Sequence, residues 1–164
     1  MIATASVSVA SSPDLGKAEG RCRASESGAS FLVDVVGLKD RIGRLKLELY
    51  PANDKDFLAD DNVLIAAGKT FRRVEATIPS TGLVELCIRA PGPGTYALSL
   101  LHDRNSDRKF ALSVDGIGFA GNPHLGLSKP SSASASARVG AEPTRISITM
   151  NYRRGLFSFG PLEH

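Results

Sequence analysis

The residues best suited to chemistry lie in the segment His102-Asp103-Arg104-Asn105-Ser106-Asp107. Asp103, Asn105 and Asp107 stand at i, i+2 and i+4, a spacing that lets successive oxygen-bearing side chains turn toward one hard cation, as at the start of a calcium loop. The remainder of such a loop is absent. Its sixth position holds Arg108 in place of Gly, its twelfth holds Val114 in place of Glu, and Arg104, Arg108 and Lys109 add positive charge. The segment therefore reads first as a hairpin loop held by Asx turns. Calcium binding through Asp103, Asn105 and Asp107 is the alternative, and no other cofactor is expected.

His102 beside Asp103 has the residue types of a general base and its orienting carboxylate. A hydrolase centred on that pair would also need a nucleophile, and no Ser in a GxSxG setting accompanies it. The chain has three histidines, His102, His124 and His164, too few for a structural zinc site without the cysteines. No catalytic residue is assigned, and the hydrolase stays as a third reading. The run Gly116-Ile117-Gly118-Phe119-Ala120-Gly121-Asn122-Pro123 is rich in glycine. It follows no predicted strand and opens no helix, so it lacks the context of a phosphate cradle. It reads as a long ordered loop with Phe119 plugging the edge of the core, and His102, Phe119 and Asn122 make up a candidate loop site.

The two cysteines, Cys22 and Cys87, are open to two readings. Cys87 alternates with Val84, Leu86 and Ile88, so it projects from the outer face of its strand. A bond to Cys22 would pin the N-terminal approach across that face and close a loop of about 65 residues, worth roughly 4 kcal/mol in the chain-entropy account. Bridged cysteines imply an exported protein, periplasmic or secreted, whereas two reduced thiols would fit the cytosol.

The elements that must position these residues are strands. Arg44 to Tyr50 alternates, with Leu45, Leu47 and Leu49 on one face and Lys46 and Glu48 on the other. Similar runs are expected at 31–36, 70–78, 83–89, 95–102 and 144–151, and a weaker one at 131–139. Pro91-Gly92-Pro93-Gly94 forces a tight loop. The one place for a short helix is 51–68, with Asn53 and Asp54 as caps and Phe57 and Leu58 packing inward. About seven short strands with turn signals between them predict an antiparallel β-sandwich, immunoglobulin-like or transthyretin-like.

Residues 1–30 lack strand or helix periodicity and are expected to be a flexible N-terminal arm, read as the remnant of a signal peptide. Residues 31–161 form the single sandwich domain, and 162–164 resemble a tag remnant. A net charge of +3, scattered basic residues and no Trp argue against a nucleic-acid surface, which needs clustered cations and stacking aromatics. No apolar run approaches the roughly 20 residues of a membrane-spanning helix. What remains is a non-enzymatic binding or structural module, its partner an envelope or extracellular macromolecule met through the loops.

An ordered set of short motifs adds a resemblance. Val36-Gly37-Leu38-Lys39-Asp40 with Gly43, Gly94-Thr95-Tyr96-Ala97, His102-Asp103 with Asn105, Gly118-Phe119 with Asn122-Pro123, and Asn151-Tyr152 together resemble the bacterial domain-of-unknown-function family 2141, over about residues 22 to 160. The resemblance implies an exported β-sandwich with no established activity, and Cys22 and Cys87 resemble the paired cysteines of one branch. Members often carry a His-Asp-x-Asn-Gly-Asn-Gly-Lys loop. Here Ser106, Asp107 and Arg108 depart from it, so a metal site does not carry over from the family on these residues.

Overall fold

A computed structural model describes residues 13–126, 128–156 and 158–162. Among these residues ten strands form two facing sheets. The smaller holds β1 (Ser30–Val36), β4 (Glu85–Arg89) and β8 (Thr144–Thr149) in the order β4-β1-β8. The larger is built on β2 (Arg44–Pro51), β3 (Arg72–Thr77) and β5 (Gly94–Asp103), and adds β6 (Gly116–Phe119), β7 (Ser136–Val139), β9 (Asn151–Arg153) and β10 (Phe159–Pro161). Its order is β10-β9-β6-β5-β2-β3, and β7 also pairs with β5. The all-β sandwich expected from the alternation is therefore present. It has more strands than the seven or so predicted, because β9 and β10 are too short to leave a pattern, and β1 and β8 run parallel in an otherwise antiparallel fold.

The core forms as the alternation requires. Leu45, Leu47 and Leu49 of β2 and Leu98 and Leu100 of β5 are fully buried against Phe31, Val33, Leu86, Ile88 and Ile148 of the smaller sheet. Each such side chain contributes about 1.5–3 kcal/mol relative to an exposed one. A second cluster of Tyr50, Phe57, Leu64, Phe71 and Phe119 lies on the other face of the larger sheet, where Tyr50 meets Phe57 and Phe71 edge to face.

That cluster is covered by the segment expected to hold a helix. The helix, α2 (Asp61–Ala66), starts later than predicted: its cap is Asp60, whose carboxylate accepts from the Asn62 N–H at 2.8 Å. Asn53 instead closes the preceding turn by accepting from the Asp56 N–H. Leu58 sits at a φ of 64°, left-handed backbone that no helix can contain, which separates the turn from α2.

The first half of the glycine-rich run read as a loop, Gly116–Phe119, is strand β6, with Ser99–His102 of β5 on one side and Asn151 of β9 on the other, and only Ala120 to Pro123 stay outside any strand. Its glycines serve close packing. A Cβ on Gly116 would lie 2.3 Å from Tyr152 Cε1, and one on Gly118 would lie 2.6 Å from Ile148 Cγ2. Periodicity could not reveal a strand whose alternate side chains are missing to make room for neighbours.

Within the stretch expected to be an N-terminal arm, residues from 13 onward lie on the domain. A short helical turn, α1 (Lys17–Gly20), covers the free edge of β3: the Gly16 carbonyl accepts from the Arg73 N–H at 3.2 Å. A Cβ on Gly16, itself at a φ of 76°, would stand 2.9 Å from Arg72 Cα. Arg21 bridges to Ile88, and Cys22 is bonded to Cys87 with the Cα atoms 5.6 Å apart. Residues 1–12 of the arm and 163–164 of the tag remnant fall outside the described residues.

Candidate functional site

Strand β5 delivers the polar site. Leu98 and Leu100 point into the sandwich, and His102, next in that row, is fully buried at its end. Its Nε2 lies 2.8 Å from the Ile42 carbonyl, which can only accept, so Nε2 carries the proton. Nδ1 is then an acceptor, and the Tyr152 hydroxyl donates to it at 2.5 Å. The same hydroxyl accepts from the Lys39 N–H at 3.1 Å. A relay from Lys39 through Tyr152 and His102 to Ile42 satisfies every polar atom in it.

The groups around the relay agree with a neutral imidazole. Burial lowers the His102 pKa, against the opposing pull of the Ile42 carbonyl and Asp40. Burial pushes the Tyr152 hydroxyl up to about 12. Asp40 would be raised by its own burial, but hydrogen bonds from Arg104 and the Ile42 N–H hold it below the ordinary carboxylate value. Arg104 reaches Asp40 Oδ2 through Nη2 at 2.7 Å and Nε at 3.0 Å, and donates to the Val114 carbonyl through Nη1. Asp40 Oδ1 is 3.7 Å from His102 Nε2, beyond hydrogen-bond reach. In this geometry the basic nitrogen of His102 is occupied and the ring has no face to solvent.

Asp103 points to the opposite side of the sheet and begins the acidic loop. Its Oδ1 accepts from the Asp107 N–H at 3.2 Å and its Oδ2 from the Arg108 N–H at 2.7 Å. Asn105 Oδ1 accepts from the Asp107 N–H at 3.4 Å. These are the turn contacts that Asp and Asn are expected to make. A further carboxylate comes from outside the segment. Asp115 is buried, accepts from the Arg104 and Ala111 N–H groups at 2.9 Å each, and closes the far end of the loop. Oxygens of Asp103, Asp107 and Asp115 all lie within 4.8 Å of one another. Asp115 is the residue that sequence spacing missed, since a turn brings it back to Asp103 from twelve positions away.

The other candidate residues are placed apart. Phe119 ends β6 opposite Ser99, where it packs against Phe57, while His102 pairs with Gly116 at the strand's other end. Asn122 holds a φ of 48° and laces its turn to β8, donating to the Ser147 carbonyl and accepting from the Thr149 N–H. His102, Phe119 and Asn122 thus share no surface. Cys22 and Cys87 form the expected pair.

One buried charged group left no sequence signal. On the outer face of the larger sheet Arg73 donates to Glu48 Oε2 through Nε at 2.8 Å and to Asp61 Oδ2 through Nη2 at 3.0 Å, while Tyr50 donates to Glu48 Oε1. The partners come from β2, β3 and α2, and only the pairing of Glu48 with Arg73 across two strands brings them together.

No curated protein and no solved structure matches the chain. A family model described as "Uncharacterized protein conserved in bacteria (DUF2141)" matches residues 33–147, from within β1 to within β8. That span takes in Lys39, Ile42 and His102 of the relay but not Tyr152, together with the acidic loop and Cys87, and the chain belongs to this family of bacterial proteins.

Proposed function

We infer that this protein is a non-enzymatic binding or structural module that works outside the bacterial cytosol. The observation that carries the reading is the enclosure of His102. The histidine that the sequence pairs with Asp103 as a candidate base has both ring nitrogens engaged and no exposure, and a general base must reach a substrate proton. The bond between Cys22 and Cys87 supports a periplasmic or secreted setting, since cytosolic pools keep thiols reduced. The partner on this reading is an envelope or extracellular macromolecule met at the exposed loops.

Two measurements test it. Purified protein is offered ester, glycoside and peptide substrates, and turnover that disappears in His102→Gln would overturn the non-enzymatic reading. Thiols are trapped by alkylation in the source bacterium before lysis, followed by intact mass with and without reduction. Free Cys22 and Cys87 in that experiment would remove the argument for export.

The convergence of Asp103, Asp107 and Asp115 favours a second reading, calcium binding at the acidic loop with Asn105 as a further oxygen donor. Three carboxylates this close repel one another, and a cation between them would add to the relief that their N–H donors already give. Calorimetry with calcium chloride decides: heat of binding at millimolar calcium, lost in Asp107→Asn, supports the site, and no heat disposes of it.

A further inference from the structure

The outer face of the larger sheet carries a second feature, remote in chemistry from the acidic loop. Lys17 and Arg21 of the N-terminal segment, Arg44 of β2, and Arg73, Val74 and Glu75 of β3 line a cleft of about 250 Å³. Four cations and one carboxylate meet there, so the first question is which charges are already matched.

Glu75 is fully committed. Arg108 donates to its Oε2 through Nη1 at 2.9 Å and places Nη2 2.5 Å from Oε1, an ionic contact without hydrogen-bond alignment. Lys17 Nζ lies 3.1 Å from Oε2 and 3.9 Å from the exposed Asp14. Arg73 is held by Glu48 and Asp61. Arg21 and Arg44 are different. Both are exposed, and among the described residues neither guanidinium makes an ion pair or hydrogen bond. The cross-strand neighbours of Arg44 are Thr77 and Asp103, and the Asp103 carboxylate is occupied by N–H groups of its own loop. Residues 1–12 contain no acidic side chain to supply the missing charge.

Both guanidinium groups rise from well-held backbone. Arg21 bridges to Ile88 and is followed by the bonded Cys22, and Arg44 opens β2 between β3 and β5. Two unmatched forks on one cleft, with Lys17 beside them, suit an anion with several oxygens and a charge near two, because guanidinium pairs such oxygens two at a time. The geometry points to a phosphate-binding site formed by Arg21, Arg44 and Lys17, taking either a soluble phosphate ester or the phosphate of a lipid headgroup. The site touches the acidic loop only through Arg108, which holds Glu75, and it does not rest on the reading given above for that loop.

The test uses disulfide-intact, 15N-labelled protein titrated with inorganic phosphate at constant ionic strength, with chloride as the matched control. Saturating shifts of the Arg21 and Arg44 side-chain signals are expected in the millimolar range. The exposed pair is replaced as Arg21→Gln with Arg44→Gln, and Arg44→Gln is prepared alone in case the double variant does not fold. Affinity should fall about tenfold or more in the double variant, and remain unchanged in Arg153→Gln, which lies elsewhere. Co-sedimentation with phosphatidylcholine vesicles, with and without phosphatidic acid, separates the two sources. Binding that needs phosphatidic acid and Arg44 identifies a lipid headgroup, and phosphate shifts without vesicle binding identify a soluble ester. No shift together with no arginine-dependent vesicle binding overturns the proposal, as does binding that survives both substitutions.

Discussion

The Tyr152 hydroxyl stands 2.5 Å from His102 Nδ1 and is the one group that both fills the imidazole's acceptor and receives the Lys39 N–H. It joins β9 to β5 at the end of the core, and its loss would leave the buried His102 Nδ1 and the half-buried Lys39 N–H without partners. Tyr152→Phe keeps the ring packing and removes only that oxygen. It should cost about 1–3 kcal/mol, the penalty for stranding buried polar groups, read as a lower urea midpoint with an unchanged m-value.

The same relay sets a pH dependence. Burial, offset in part by the Ile42 carbonyl and Asp40, holds the folded His102 pKa below its unfolded value near 6.5. The unfolded chain therefore binds the proton first as pH falls, so stability is full above about 6.5 and declines below it toward the lowered folded value. Asp40, also depressed, acts in a separate window below the ordinary carboxylate range, again losing stability as pH falls. Urea midpoints from pH 8 to pH 5 should fall in the wild type and stay flatter in His102→Gln. A wild-type midpoint that rises on acidification would contradict the arrangement.

Arg73 is the sole cation between Glu48 and Asp61 whose side chain is nearly sealed, at 5% exposure. Its guanidinium is raised above its usual value because those carboxylates outweigh the cost of its own burial. Arg73→Met would leave two buried carboxylates facing each other and should destabilise by about 3–5 kcal/mol. Arg73→Lys should recover part of that loss, since one ammonium cannot span both partners as the fork does. Thermal unfolding of the three proteins orders them.

Gly116 offers a steric test. A methyl group there must occupy the place of the Tyr152 ring, so Gly116→Ala should cost about 1–3 kcal/mol as an overpacked core site. Gly140→Ala, where a Cβ meets nothing within 4 Å, should be close to neutral. Equal midpoints for the two variants would mean that β6 does not pack as described.

What was legible in the sequence was local. Leu45, Leu47 and Leu49 announce their strand because one face is apolar and the other charged, and the same alternation put Cys87 on the side where Cys22 meets it. Asp103 and Asp107 were legible by spacing, whereas Asp115 returns through a turn of irregular backbone that no period describes. β6 was hidden because Gly116 and Gly118 carry the signature of a loop while serving the bulk of Tyr152 and Ile148. The relay and the Glu48-Arg73-Asp61 group were invisible for a common reason: each depends on cross-strand register, which positions residues far apart in the chain and leaves no trace in any one segment.

The position of α1 has a consequence for how the molecule behaves in company. β3 ends the larger sheet, and an uncovered end strand is a template on which a second chain can add its own strand. Here the cover is a four-residue turn, too short to hold itself, and the nearest covalent tether is the bond from Cys22 to Cys87. Reduction would release the guard before it unfolds the sandwich, so solutions of the reduced protein should self-associate while their β-sheet circular dichroism persists.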